Sequence, residues 1–122
     1  MKLAIGTAQF GLNYGISNTQ GQVDKAQVAD ILSLGASLGI DTLDCAGAYG
    51  NSEQILGQLL NNISLVQPFN IVSKIPALTS EQIDINDFFS TSLTDLQQNS
   101  IDSLLFHQAD NLLNHPKKKS LF

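Results

Sequence analysis

Four times along this chain a short apolar run gives way to a longer segment, mostly of helical period, and few folds accept such a pattern. Leu3-Ala4-Ile5 reads as a first strand ended by Gly6-Thr7, and a Gly- and Asn-containing loop follows from Gln9 to about Gly21. Asp24 is placed to cap a helix running to about Leu38, whose apolar positions Val28, Ile31, Leu32, Gly35 and Leu38 recur at spacings of three and four. Gly39 stops it. Ile40 to Cys45 contains a second strand. Ser52 is placed to cap a second helix, in which Ile55, Leu56, Leu59, Leu60 and Ile63 form one stripe. Pro68 precedes a third strand, Phe69 to Ser73, closed by Lys74 and Pro76. Asp84 opens a third helix with Phe88, Phe89, Leu93 and Leu96 facing inward, and Asn99-Ser100 breaks it. Ile101 to Phe106 gives a fourth strand, and a polar loop after His107 leads to Pro116, a good first residue for a fourth helix.

Strands recurring every roughly 30 to 40 residues with helices between them are βα units, and they imply a parallel sheet covered by helices. Such a sheet is either open and doubly wound or closed as a (β/α)8 TIM barrel. A doubly wound nucleotide binder carries G-x-G-x-x-G or a P-loop after its first strand. Here Gly6-Thr7-Ala8-Gln9-Phe10-Gly11 matches neither, which favours the α/β barrel. A closed barrel needs eight strands and about 250 residues. The 122 residues present hold four strands, so residues 1–122 read as one incomplete domain, about the first four βα units of a half barrel. A half barrel leaves two unpaired strand edges and an open apolar inner face. Instability alone, self-association through those edges, or a chain that continues past Phe122 are the expectations that follow, and the last is preferred.

Composition narrows the partners. The chain is 43% hydrophobic and 14% charged, as soluble globular proteins are, and its net charge of −5 argues against nucleic acid or an anionic membrane surface. Lys117 to Lys119, the longest basic run, reads as a solvated helix start. No stretch approaches the roughly 20 apolar residues of a membrane span, and the N-terminal apolar run is too short for a signal peptide. A single cysteine, Cys45, has no internal partner for a disulfide. A cytoplasmic soluble protein is expected.

Barrel enzymes carry their chemistry on the loops that follow the C-terminal ends of the strands. Reactive side chains fall there: Asp44 near the end of strand two with Tyr49 five residues on, Lys74 at the end of strand three, His107 at the end of strand four. Each alone has an ordinary reading, as a cap, a half-buried aromatic, a solvated strand end or a rim histidine. Four in register argue for one cluster. An unperturbed tyrosine has a pKa near ~10, and a neighbouring ammonium favours its phenolate. An aspartate beside the lysine holds it charged and in place, and a histidine at the mouth can orient a carbonyl oxygen. Together they make a general acid for an oxygen that gains charge as hydride arrives. None of them supplies the hydride, so a nicotinamide cofactor is implied.

The segment Ile40-Asp41-Thr42-Leu43-Asp44-Cys45-Ala46-Gly47-Ala48-Tyr49-Gly50-Asn51-Ser52-Glu53 resembles the aldo-keto reductase signature. Ile71-Val72-Ser73-Lys74 is similar to the strand that presents that family's catalytic lysine, and Ser92-Leu93 through Asp102-Ser103-Leu104-Leu105-Phe106-His107 to the helix and strand that deliver its histidine. The likeness runs from Leu3 to His107. It implies Tyr49 as proton donor, Lys74 as the partner that lowers its pKa, Asp44 as the carboxylate paired with Lys74, and His107 as the group that orients the carbonyl. Gly6 and Thr7 match the family's first-strand turn, which lies against the cofactor, so Gly6, Thr7 and Asp44 are the cofactor-side residues. The resemblance implies an NADPH-dependent reductase of aldehydes, ketones or sugar-like carbonyls, inactive as a half barrel alone. Gly6 to Gly15 looks like bacterial members. Two departures stand out: the β-hairpin that many members place before strand one is missing, and so is the second half of the barrel, which holds most of the pocket for NADP and separates it from NAD. Two other functions fit the fold: a regulatory module that keeps the cofactor without turnover, and an aldolase-like barrel with Lys74 as Schiff-base nucleophile.

Overall fold

The structure, a computed structural model, describes residues 2–65, 67–77 and 84–114. In chain order its elements are β1 Ile5–Gly6, α1 Ala8–Gly11, α2 Lys25–Ser37, β2 Thr42–Asp44, α3 Ser52–Leu60, β3 Asn70–Ile75, α4 Ile85–Leu96, β4 Ser103–Phe106 and α5 Ala109–Asn114. The strands form one sheet in the order β1-β2-β3-β4, and every pair is parallel. A doubly wound sheet would reverse its strand order at a switch point. This one never turns back, so it is four consecutive staves of a barrel.

Register assigns each strand residue to a face. Ile5 pairs with Leu43 and Leu43 with Ile71, while Gly6 pairs with Asp44, Asp44 with Val72, and Lys74 with Leu105. Side chains alternate along a strand, so Leu43, Cys45, Ile71, Ser73 and Ile75 point to the helices and are buried. Thr42, Asp44, Val72 and Lys74 point to the other, concave face and are half-buried. The core lies between the sheet and the helices: Phe10, Val28, Leu32, Leu43, Leu56, Leu59, Phe69, Ile71 and Leu96 form one cluster. Leu32, Leu43, Leu56 and Leu96 are fully buried, and such a side chain contributes about 1.5–3 kcal/mol over its exposed state.

The helix starts at 24 and 84 are capped as the sequence indicates. The carboxylates of Asp24 and Asp84 accept from the backbone N–H groups of Gln27 and Asn86. Elsewhere the structure departs from the pattern reading. The first strand is Ile5–Gly6 because β1 has one neighbour and its ladder with β2 begins at Ile5, leaving Leu3 exposed. The expected loop from Gln9 contains the single helical turn α1, drawn in by the burial of Phe10. Ser52 is the first residue of α3 rather than its cap. Asn51 takes the cap position without a side-chain bond, because the Ser52 hydroxyl is committed to the Thr7 carbonyl. Ile31 and Leu38 share the apolar period of α2 but stay exposed, Leu38 at 70%, since no element among the described residues covers that side. Helix α4 ends at Leu96, with Gln97 in the left-handed conformation, before Asn99-Ser100 is reached. The fourth strand starts at Ser103 rather than at Ile101. Helix α5 begins at Ala109, inside the expected polar loop; Pro116 and Lys117 to Lys119 lie outside the described residues. Among the described residues no helix is long and apolar enough to cross a membrane.

Candidate active site

All four strands point their C-terminal ends the same way, and there the polar residues converge. Asp44 closes β2 and Lys74 lies one position before the end of β3, both on the concave face. The Lys74 Nζ donates to Asp44 Oδ1 at 2.6 Å, to the Cys45 carbonyl at 2.9 Å and to Tyr49 Oη at 3.3 Å. Three acceptors use all three hydrogens of an ammonium. The same nitrogen stands 5.1 Å from the Tyr49 ring centroid. Residues 30 and 25 positions away in sequence are thereby brought within reach of one nitrogen. His107 follows β4, anchored by its N–H to the Ile75 carbonyl, and its ring meets that of Tyr49 edge to face at 6.0 Å and 82°. All four residues singled out in the sequence belong to this one group.

Tyr49 sits in the tight connection between β2 and α3, and its position is set by close backbone packing. Its N–H donates to the Ala46 carbonyl, and its own carbonyl accepts from the Ser52 N–H. Gly50 adopts φ +59°, and a side chain there would strike the Gly11 carbonyl, while one on Gly11 would strike the Tyr49 carbonyl. The two glycines let α1 and this connection touch, and that contact seats the phenol over Lys74.

Burial favours loss of the Lys74 proton, yet the hydrogen bonds and charges of Asp44 and Tyr49 outweigh it, and the ammonium is held above its ordinary value. Lys74 is a fixed cation. The Cys45 thiol behind it is pushed up to about 12, chiefly by burial; the Thr7 hydrogen bond opposes this and the charges of Glu53 and Asp44 add to it. It is an inert core thiol.

Gly6, which closes β1, and Thr7 just after it differ in what they can touch. Gly6 lies on the concave face beside Asp44, with no atom within 4 Å of where a Cβ would stand. Thr7 is fully buried, and its hydroxyl and N–H both donate to the Asp44 carbonyl. It bears on the concave face through Asp44. Sequence reasoning missed a polar set behind the sheet: Ser52 on the Thr7 carbonyl, and Glu53 accepting from Ser73 and Ser92, all buried. Its signal was a carboxylate in the first turn of α3 and a serine at the inward spacing Phe88, Ser92, Leu96. A cavity of ≈ 340 Å³ lies at the opposite end of the sheet against Leu60, Ile63 and Phe69, with no titratable group in its lining. Among the described residues no cluster of His, Cys, Asp and Glu has the arrangement of a metal site.

Lys74, Tyr49 and Asp44 are thus joined at the strand ends of a parallel α/β half barrel, the rim at which barrel enzymes carry their sites. The chain belongs to the aldo/keto reductase family, whose pattern it matches over residues 2–115. A Pseudomonas aeruginosa aldo-keto reductase structure superposes with a TM-score of 0.75 at 29% identity, covering 96% of this chain and 48% of its own. A second such structure from that organism gives 0.72 at 31% identity, over 97% of this chain and 47% of that one. An aldo-keto reductase from Klebsiella pneumoniae, solved in complex with NADPH, shares the fold at a TM-score of 0.64 and 22% identity, covering 85% of this chain and 34% of its own. The chain spans about half the length of the first two structures. No curated protein matches it.

Proposed function

We propose that this chain forms the catalytic half of a carbonyl-reducing oxidoreductase that works with NADPH, in which Tyr49 gives the proton, Lys74 and Asp44 prepare it and His107 orients the substrate oxygen. The observation that carries this reading is the Lys74 ammonium, bonded at once to Asp44 at 2.6 Å and to Tyr49 at 3.3 Å. A phenol oxygen that accepts from Lys74 keeps its own proton to donate. When that proton leaves, the phenolate forms beside a fixed cation, and Asp44 keeps the cation in place. His107, exposed at the rim against the Tyr49 ring, is where a carbonyl oxygen approaching Tyr49 would meet a second donor. The chemistry a nicotinamide held there would supply is the hydride for the carbonyl carbon. On this chain Gly6 and Asp44 would line its seat, because the concave face is open at Gly6 and the Asp44 carboxylate stands next to it. Thr7 would serve that seat by holding the Asp44 backbone.

The Schiff-base alternative needs a neutral, desolvated lysine, and the raised Lys74 speaks against it. The reading places reductase activity in the complete barrel and none in residues 1–122 alone, since four strands close no pocket around substrate and cofactor. The test is NADPH oxidation against a panel of aldehydes and ketones by the complete barrel containing this chain. Tyr49→Phe is expected to lower kcat about 10²–10⁴-fold with NADPH binding retained. A Tyr49→Phe enzyme reducing at the unaltered rate would overturn the assignment, and tight NADPH binding without turnover of any carbonyl would turn it toward a regulatory module.

A further inference from the structure

Behind the Lys74 cluster, on the helix side of the sheet, lies a charged group to which the proposed reaction gives no role. Glu53 is 5% exposed, and its carboxylate accepts from the hydroxyls of Ser73 and Ser92, both buried. A carboxylate is costly in such surroundings unless its oxygens are met, and an apolar side chain of similar size would fill the space more cheaply. No ion pair compensates Glu53 among the described residues. What supports it is the pair of hydroxyls and the first turn of α3, where the helix field favours negative charge.

The positions of those partners give the carboxylate a purpose. Ser73 immediately precedes Lys74 on β3, so the side chains of the two emerge on opposite faces of the same strand. Glu53 stands four residues after Tyr49, on a helix start locked to the tyrosine by the bond from the Ser52 N–H to the Tyr49 carbonyl and to the first strand by that from Ser52 to Thr7. The bond from Ser73 to Glu53 therefore ties the strand bearing Lys74 to the segment bearing Tyr49 from behind the sheet. We propose that Glu53 is a positioning residue that sets the separation of Lys74 Nζ and Tyr49 Oη by pinning Ser73 to the helix start that follows Tyr49. Ser92 holds the second oxygen, so that α4 braces the carboxylate rather than leaving it to turn. The inference rests on the reading of Tyr49 and Lys74 as an acid–base pair, but its test needs no turnover.

The test is the Lys74 titration in the complete barrel containing this chain, free of cofactor, followed by NMR of isotope-labelled lysine, with the signal assigned by its loss in Lys74→Arg. If Glu53 positions the pair, Glu53→Ala loosens the bonds to Asp44 and Tyr49 while Lys74 stays half-buried, and its midpoint falls. Ser73→Ala moves it the same way by less. Glu53→Gln removes the charge but keeps an acceptor and a donor for the two hydroxyls, and it is expected to hold the wild-type midpoint. Folding of each variant is checked by amide dispersion, and Ser73→Ala decides if Glu53→Ala does not fold. Folded Glu53→Ala and Ser73→Ala chains with an unmoved midpoint would overturn the proposal. So would a Glu53→Gln chain shifted as far as Glu53→Ala, since charge and not contact would then matter. A Tyr49→Phe enzyme that reduces carbonyls at the unaltered rate would sink the acid assignment and leave this titration as it was, so the two failures are separable.

Discussion

The middle of the sheet and its two flanks are made from similar residues and are held very differently. Strands β2 and β3 each have a neighbour on both sides, and their helix-facing side chains Leu43, Cys45, Ile71, Ser73 and Ile75 are all buried. On one flank β4 leaves Leu104 and Leu105 exposed; on the other Leu3 beside β1, Ile31 and Leu34 on α2 and Leu38 at its end are open too. The difference teaches what a side chain at each place can be asked to do. Asp44, Lys74 and Tyr49 hang from the enclosed middle and are fixed by hydrogen bonds, whereas His107 follows the outermost strand and joins them through a ring edge. The half barrel thus carries a fully bonded lysine–tyrosine pair and a loosely held rim.

Four measurements would break or sharpen that contrast. Leu43→Ala, in the enclosed middle, is expected to cost about 2–5 kcal/mol in urea unfolding, and a loss below that range would mean the middle is as loose as the flanks. Gly57→Ala comes next. A Cβ there would collide with the backbone of Asp95 and Leu96, forcing α3 from α4. Overpacking of this kind costs about 1–3 kcal/mol, read as a lowered Tm, and an unchanged Tm would show slack between the helices.

The third is alkaline stability. The Cys45 thiol holds its proton to about 12 in the fold, against 9.0 for an ordinary thiol, so the unfolded chain releases it first. Stability is then complete below pH 9.0 and falls between 9.0 and about 12, at a limiting slope of about 1.4 kcal/mol per pH unit. Lys74, also raised, adds to the loss above 10.5. Cys45→Ala should abolish the part that begins at 9.0 and leave the part above 10.5. A wild-type chain equally stable at both ends of that range would mean that water reaches the thiol. The smallest effect belongs to the flank: Leu105→Ser, at a side chain 47% exposed, should stay within about 0.5 kcal/mol. A larger loss in a chain that sediments as a dimer would mean that the edge is covered by a second copy.

The parts that were legible in the sequence are those in which local pattern and global packing agree. The alternation of apolar runs and helical periods fixes parallel βα units, and Asp24 and Asp84 cap where capping chemistry places them. Asp44, Tyr49, Lys74 and His107 were readable because strand ends in a parallel sheet share one rim. What stayed hidden depends on contacts distant in sequence. Periodicity cannot say that the stripe of α2 has two sides and that the one with Ile31 and Leu38 is exposed. It also cannot say that the Ser52 hydroxyl prefers the Thr7 carbonyl to capping α3, because the partner is 45 residues away. Glu53 went unread for the same reason: a carboxylate in a first helical turn looks solvated until the strand and helix behind it are in place.

The opposite orientations of Ser73 and Lys74 make this stretch intolerant of a change in length. Deleting or inserting one residue between Asn70 and Ser73 would exchange their faces, sending an ammonium into the helix layer against Glu53 and a hydroxyl to the concave side. Point substitutions in β3 act one contact at a time, whereas such an indel would remove the cluster and its anchor together. The loop from 12 to 23, tied down mainly by Gln9, Asn18 and Gln22, has no such parity to keep. Length variation among chains of this kind should therefore gather before α2 and vanish from β3.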